Sequence, residues 1–134
     1  MFEDACLSQF DANGRWETQW NYLHRPNGMC LGHGPNPLCY IGEGGPAEAI
    51  NRDWPNIGAR VSVHTTKNHE LLARLGKPHA GIAPGQFTSP HGIAVDRRGN
   101  IYVGELSGRS WSRFSNDPVP AKRRVIHRLE KVAA

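Results

Sequence analysis

The protein has 134 residues, of which 38% are hydrophobic, and it contains 15 glycines and 10 prolines. Its 16 basic and 12 acidic side chains give a formal net charge of +4. No apolar run approaches the roughly 18 residues of a membrane-spanning helix, and the turn-rich composition disfavours a helical bundle. A chain of this length suits one domain.

Nine strands are predicted in chain order, separated by turn signals rather than by helical stretches. The segment Asn13-Gly14 is a strong hairpin signal between the first two strands. Two long loops, 43–58 and 106–123, interrupt the pattern, and the first contains a candidate helical turn at 47–51. The nine predicted strands cover 6–10, 15–20, 27–31, 38–42, 59–65, 70–75, 91–95, 101–105 and 125–132.

Two parts of the chain share one pattern. In each, a Pro-x-Gly start leads into a short apolar run, a turn, and a second run that ends in Gly-Glu. Pro26 and Pro90 are 64 residues apart, and Tyr40 and Tyr102 are 62 apart because the first turn is two residues longer. Repeated β-rich units with no helix between their paired strands are typical of propeller blades.

The stretch 86–105 reads Gln-Phe-x-x-Pro-His-Gly-Ile-Ala-Val-Asp-x-x-Gly-Asn-Ile-Tyr-Val up to residue 103 and closely resembles the NHL repeat. The stretch 25–43 is a weaker copy. NHL repeats build β-propellers, commonly six-bladed. Their relatives include the amidating lyase that cleaves peptidyl-hydroxyglycine and, more distantly, gluconolactonase-like calcium proteins.

The resemblance implies an all-β fold, a partial NHL-type β-propeller with about two four-stranded antiparallel blades. Residues 1–134 form a single segment in this interpretation, with repeat copies at about 25–75 and 86–132. If the strands of a blade are named a to d from the channel outward, the chain runs c-d, a-b-c-d, a-b-c. Long loops between strands b and c account for the 64-residue period, which exceeds the 40–50 residues usual for a blade.

Two blades cannot close a ring, because they would leave open sheet edges. Two explanations stay open. The chain is either a piece of a longer propeller, or several copies assemble head to tail, three copies of two blades giving six. In the second case the two terminal c strands would compete for one position.

Two residues at the start of the innermost strands are candidate metal ligands. His91 follows Pro90, and a neutral imidazole there suits zinc. The resemblance to the amidating lyase implies a zinc ligand at His91. The corresponding residue of the first copy, Asn27, is similar to the Pro-Asn-Gly of gluconolactonase-like proteins, and its carbonyl oxygen suits Ca²⁺ or Mg²⁺. In the alternative, both side chains only satisfy backbone groups.

Four further residues are candidate ligand-binding positions. Glu43 and Glu105 are equivalent residues at the ends of the two b strands. Their repetition favours a structural role, such as accepting hydrogen bonds from the following turn, over metal ligation or acid catalysis. Arg109 and Trp111 lie in the second long loop, where they would rim the channel.

Tryptophans and cysteines are assigned to packing roles. The four tryptophans are predicted to anchor the core or the contacts between blades. The three cysteines fit no metal-binding spacing, and free buried thiols are favoured over a disulfide between Cys30 and Cys39. A basic segment at 122–131 favours a solvated surface over nucleic-acid binding, because no stacking aromatics accompany it.

Two functions from different classes follow. The first is a binding scaffold whose channel mouth takes a small molecule or a partner peptide. The alternative is part of a divalent-metal-dependent lactonase-like hydrolase or amidating-lyase-like enzyme, with Ca²⁺ or Zn²⁺ as its ion. Residues 1–6 lack a signal sequence, which predicts a cytoplasmic protein, or a secreted one if an upstream signal has been lost.

Overall fold

A computed structural model describes residues 6–133. The prediction that residues 1–6 lack a signal sequence therefore falls almost entirely outside the described residues. Within that range a 3₁₀ turn covers Ala49–Asn51 and one α-helix, α1, covers Ser107–Phe114. The strands are β1 (Leu7–Phe10), β2 (Trp16–Trp20), β3 (Pro26–Leu31), β4 (Leu38–Glu43), β5 (Arg60–Thr65), β6 (Leu71–Leu75), β7 (Pro90–Val95), β8 (Ile101–Glu105) and β9 (Ile126–Leu129).

The strands form three antiparallel sheets. β1 pairs with β2, the second sheet has the order β3-β4-β5-β6, and the third has the order β7-β8-β9. This is the predicted sequence c-d, a-b-c-d, a-b-c, and the all-β partial propeller is confirmed. Among the described residues the second sheet has four strands and the third has three, as the predicted orders a-b-c-d and a-b-c require.

The tight turns are fixed by aspartate side chains. Asp96 Oδ1 accepts hydrogen bonds from the amides of Arg98 (2.9 Å) and Asn100 (3.0 Å), and Gly99 has a φ of 85°. The hydrogen bond from the Asn100 side chain lowers the pKa of Asp96, and the backbone bonds act in the same direction. Asp11 makes the same kind of turn between β1 and β2. Asp96 therefore holds the turn between strands a and b by side-chain bonds to nearby amides.

The apolar core lies between the sheets rather than within one of them. The larger cluster joins the second sheet to the third and includes Val61 and Val103, both fully buried. Burial of such a side chain stabilises the fold by about 1.5–3 kcal/mol. A smaller cluster joins β2 to the second sheet through Trp20 and Ile41. The three sheets are therefore stacked in chain order.

The second long loop contains a helix that the sequence analysis did not predict. Four of its residues, at positions 107, 110, 111 and 114, follow helical spacing, and all but the last are buried. Only Trp111 and Phe114 of these four residues are apolar, so the hydrophobic periodicity that predicts a helix is weak in this loop. No helix among residues 6–133 is long and apolar enough to cross a membrane.

Two of the four tryptophans do not have the predicted packing role. Trp20 and Trp111 are buried, but Trp16 and Trp54 have 60% and 52% of their surface exposed. All three cysteines are free, as expected, but only Cys39 is buried, and Cys6 and Cys30 are partly exposed. Cys30 lies opposite Tyr40 in the ladder and Cys39 lies opposite Leu31, so the two cysteines occupy opposite faces of the sheet.

Candidate functional site

The innermost hairpin of the second sheet has an irregularity at its start. Pro26 lies opposite Glu43, and the next registered pair is Gly28 with Gly42. Asn27 is therefore an extra residue without a partner in the ladder. Such bulges aim a side chain in a new direction and are over-represented next to active sites.

The third sheet repeats this irregularity at the equivalent place. Pro90 lies opposite Glu105, the next pair is Gly92 with Gly104, and His91 is left without a partner. Both predicted metal ligands are thus bulge residues, and both side chains are exposed. The Pro-x-Gly pattern in the sequence marks this local geometry in both copies.

The two bulges lie side by side. The main chain of Gly28 packs so closely on that of His91 that a Cβ on the glycine would lie 1.7 Å from the His91 carbonyl oxygen. Asn27 is covalently next to this contact. The tertiary structure therefore brings the two predicted residues to one mouth, formed by the starts of strands β3 and β7.

Glu43 is held inside the second sheet. Its Oε2 accepts hydrogen bonds from the backbone amide of His24 (2.8 Å) and from Nη2 of Arg60 (2.8 Å). The side chain is 1% exposed. The carboxylate therefore ties the segment that enters strand a to strands b and c of the same sheet.

Glu105 has the equivalent place in the third sheet. Its Oε1 accepts hydrogen bonds from the amides of Thr88 (2.6 Å) and Ser89 (3.0 Å), and its Oε2 contacts Nε2 of His127 at 2.7 Å. Both glutamates thus bond to the segment before strand a, whereas the sequence analysis expected the turn after strand b. The side chain that contacts the carboxylate from strand c differs, an arginine in one copy and a histidine in the other.

The first long loop is fixed to the mouth by Arg25. Its Nη1 donates to the carbonyl oxygens of Gly45 (3.2 Å) and Pro46 (2.8 Å). Arg25 immediately precedes the bulge at Pro26 and has a φ of 49°. Sequence reasoning missed this residue, because no local pattern indicates which carbonyls a guanidinium will meet.

Arg109 and Trp111 belong to helix α1 rather than to an irregular loop. Arg109 is exposed, but Trp111 is 7% exposed, and its Nε1 donates to the Asp117 carbonyl at 2.7 Å. The two long loops meet each other, since Arg52 Nη2 donates to the Ser112 carbonyl at 3.3 Å. They leave from the sheet ends that carry the bulges, and so they flank the mouth.

Two groups of the first repeat copy have perturbed acidities, the half-buried His24 beside the mouth and the buried Cys39 at the far end of the β3–β4 hairpin. Burial lowers the pKa of His24, while a hydrogen bond to Gly45 opposes that effect. Burial raises the pKa of the Cys39 thiol to about 11. Both groups are thereby kept neutral near pH 7, and neither adds charge to the mouth.

The mouth offers two donors for a metal ion, the Asn27 amide oxygen and the His91 imidazole. Zinc sites in proteins use three or four ligands and calcium sites six to eight. Among residues 6–133 no group of three histidine, cysteine, aspartate or glutamate side chains is placed to hold an ion. The described residues alone therefore do not fit a complete site for either metal.

Stacked antiparallel sheets, two of which begin at a shared mouth, define this chain as a partial β-propeller. Residues 73–114 match the family model described as a beta-propeller repeat. The match spans β7, β8 and α1 together with the segment that leads into them. A search of curated proteins finds no match to the chain.

Proposed function

We propose that this chain is an NHL-type repeat scaffold that binds a small molecule or a peptide at the mouth formed by Asn27 and His91. One observation carries the proposal: both residues are exposed bulge residues at equivalent, adjacent positions. A purely structural position has no need of a ladder irregularity that frees a polar side chain in each copy.

The neighbouring carboxylates support the assignment of ligand binding to Asn27 and His91. Glu43 and Glu105 are buried and bonded within their own sheets, so they shape the mouth. The polar groups presented to a ligand are an amide and an imidazole. Such groups recognise carbonyl and hydroxyl groups of an uncharged ligand through hydrogen bonds.

The alternative, a lactonase-like or amidating-lyase-like enzyme, uses the same two residues as the beginning of a divalent-metal site. Further donors would then come from blades beyond the two described here. The alternative is favoured by donor chemistry alone, since an amide oxygen suits Ca²⁺ and an imidazole suits Zn²⁺.

Amide chemical shifts of ¹⁵N-labelled protein test the proposal. Glucono-δ-lactone, a glycine-extended peptide, CaCl₂ and ZnCl₂ are added separately. We expect an organic probe to shift amides around Asn27 and His91, with loss of the effect in the double variant Asn27→Ala/His91→Ala and its retention in His79→Ala. His79 lies in the linker before β7 and serves as the matched histidine control.

The two functions give different results. Mouth shifts and a higher melting temperature with an ion alone, both lost in His91→Ala, would favour the metal enzyme, because a ligand of the native state stabilises it. Failure of every probe to move the mouth amides would leave both residues a structural role and overturn the scaffold proposal.

A further inference from the structure

The third sheet has an empty outer position. In the second sheet, strand β6 pairs with the outer edge of β5. In the third sheet, the described residues place no strand beside β9. An unpaired edge leaves a row of backbone donors and acceptors ready to pair with another strand.

The ladder shows which donors of β9 point into that position. The backbone amide of Glu105 donates to the Val125 carbonyl at 2.8 Å, so the backbone N–H and C=O groups of Val125 point towards β8. Because the backbone groups of alternate residues in an antiparallel ladder point to the same side, those of His127 also point towards β8. The amides of Ile126 and Arg128 therefore point outward.

One face of the third sheet is uncovered as well. Tyr40 of the second sheet packs against the core shared with the third. Its repeat equivalent, Tyr102, is 37% exposed, and Ile126 beside it is 70% exposed. The two line a shallow apolar hollow with Ala94. The second sheet therefore packs its Tyr40 face against the third sheet, whereas the equivalent Tyr102 face of the third sheet is exposed.

The face of the second sheet that points away from the third sheet is also partly uncovered. The hairpin β1–β2 covers only the outer part of that side, and Met29 and Leu31 of the innermost strand stay 55% and 50% exposed. They line an apolar groove of about 420 Å³ together with Leu7 and Cys39. This groove lies where the inner strands of the blade containing β1 and β2 belong.

The terminal segments carry opposite charge. Residues 6–20 have two acidic side chains, Asp11 and Glu17, against one basic, and residues 122–131 have five basic against one acidic. A surface that includes β9 is therefore attracted to a surface that includes β1 and β2. A head-to-tail contact between copies has this complementarity, whereas a contact between like ends does not.

We propose that a second copy of this chain occupies the groove. The third sheet of one copy places its Tyr102 face over Met29 and Leu31 of the next, and β2 of that next copy takes the empty position beside β9. The composite blade has the order β7-β8-β9-β2. Three copies of two blades complete a six-bladed ring.

Strand β1 is displaced in this assembly, because β1 and β9 occupy the same position in a blade. β9 is fastened to its own sheet by the His127–Glu105 contact and by a bond from the Lys131 amide to Asn100 Oδ1 at 3.0 Å. Within residues 6–133, the hydrogen bonds of β1 lead to β2, through the ladder and through Gln9, and Leu7 packs against the cluster that contains Trp20 and Ile41. β1 therefore has the weaker hold.

Light scattering on the full chain, with concentration varied, tests the proposal. Arg128→Pro removes one outward amide from β9, and Arg128→Ala removes the side chain alone. We expect wild type and Arg128→Ala to have a mass several times 14.8 kDa. Arg128→Pro should weaken association about tenfold or more, the equivalent of 1.4 kcal/mol.

A deletion of residues 1–10 separates strand exchange from simple stacking. If β1 is displaced on assembly, the deletion preserves or strengthens association, and circular dichroism verifies that the shortened chain is folded. A monomeric full chain at the highest attainable concentration would overturn the proposal. So would an assembly that is indifferent to Arg128→Pro, or one that the deletion abolishes.

Discussion

The main chains of Gly28 and His91 are in direct contact, and this contact joins the second sheet to the third. A Cβ on Gly28 would lie 1.7 Å from the His91 carbonyl oxygen. The repeat equivalent of Gly28 is Gly92, and a Cβ there would meet nothing within 4 Å. A glycine is thus required at this position in the first copy of the repeat, whereas the second copy has space for a side chain there.

The two glycines give a matched pair of variants. Gly28→Ala forces the bulges apart, and we expect it to lower the free energy of unfolding by about 1–3 kcal/mol. Gly92→Ala should change it by less than about 1 kcal/mol. Urea unfolding at low protein concentration measures both without interference from association. Equal effects would mean that the two inner strands are not in contact.

The buried glutamates are predicted to differ in how well they tolerate neutralisation. Glu43→Gln leaves the Arg60 guanidinium without a counter-charge in a buried site, and breaking such a pair costs about 3–5 kcal/mol. Glu105→Gln faces His127, which can remain neutral and accept a hydrogen bond, so the cost is about 1–3 kcal/mol. Urea midpoints compare them. A larger loss in Glu105→Gln would contradict the assigned ion pair between Glu43 and Arg60.

A pH dependence follows from the lowered pKa of His24. The folded state resists protonation of this ring, so the unfolded state binds more protons below pH 6.5. The contribution of neutral His24 is present in full above the ordinary pKa of about 6.5 and is lost as pH falls towards the folded-state value. Other groups also titrate, so the informative quantity is a difference between variants.

The measurement compares the unfolding free energy of wild type with that of His24→Gln between pH 5 and pH 7.5. We expect the advantage of wild type to shrink as the solution becomes more acidic. An advantage that grows on acidification would show that the ring gains a partner for its charged form, and the assigned cause of the shift would be wrong.

Thiol reactivity should distinguish Cys39 from the other two cysteines. Its pKa of about 11 lowers the thiolate fraction at pH 8 about a hundredfold relative to an ordinary cysteine, and its side chain is fully buried. Iodoacetamide should therefore modify Cys6 and Cys30 first, with Cys39 reacting after unfolding in urea. Mass spectrometry of tryptic peptides reads the order. Early labelling of Cys39 would indicate that its cluster opens readily.

The sequence alone determined the order and phase of the strands. Turn residues such as Asp96 act on amides two to four positions away, and the Pro-x-Gly starts at Pro26 and Pro90 repeat at a fixed interval. These signals are local or periodic, so they survive without knowledge of the fold. The candidates Asn27 and His91 were found for the same reason, as equivalent positions in two copies.

The tertiary structure alone decided which groups meet. It placed Arg60 and His127 on the two glutamates, buried Trp111 while leaving Trp16 exposed, and seated Gly28 on His91. Each of these contacts joins residues from different strands or sheets, and its existence depends on register and stacking. Residue type and spacing along the chain predict the order of the strands but not which side chains meet across them, so strand register and packing between the sheets settle those contacts.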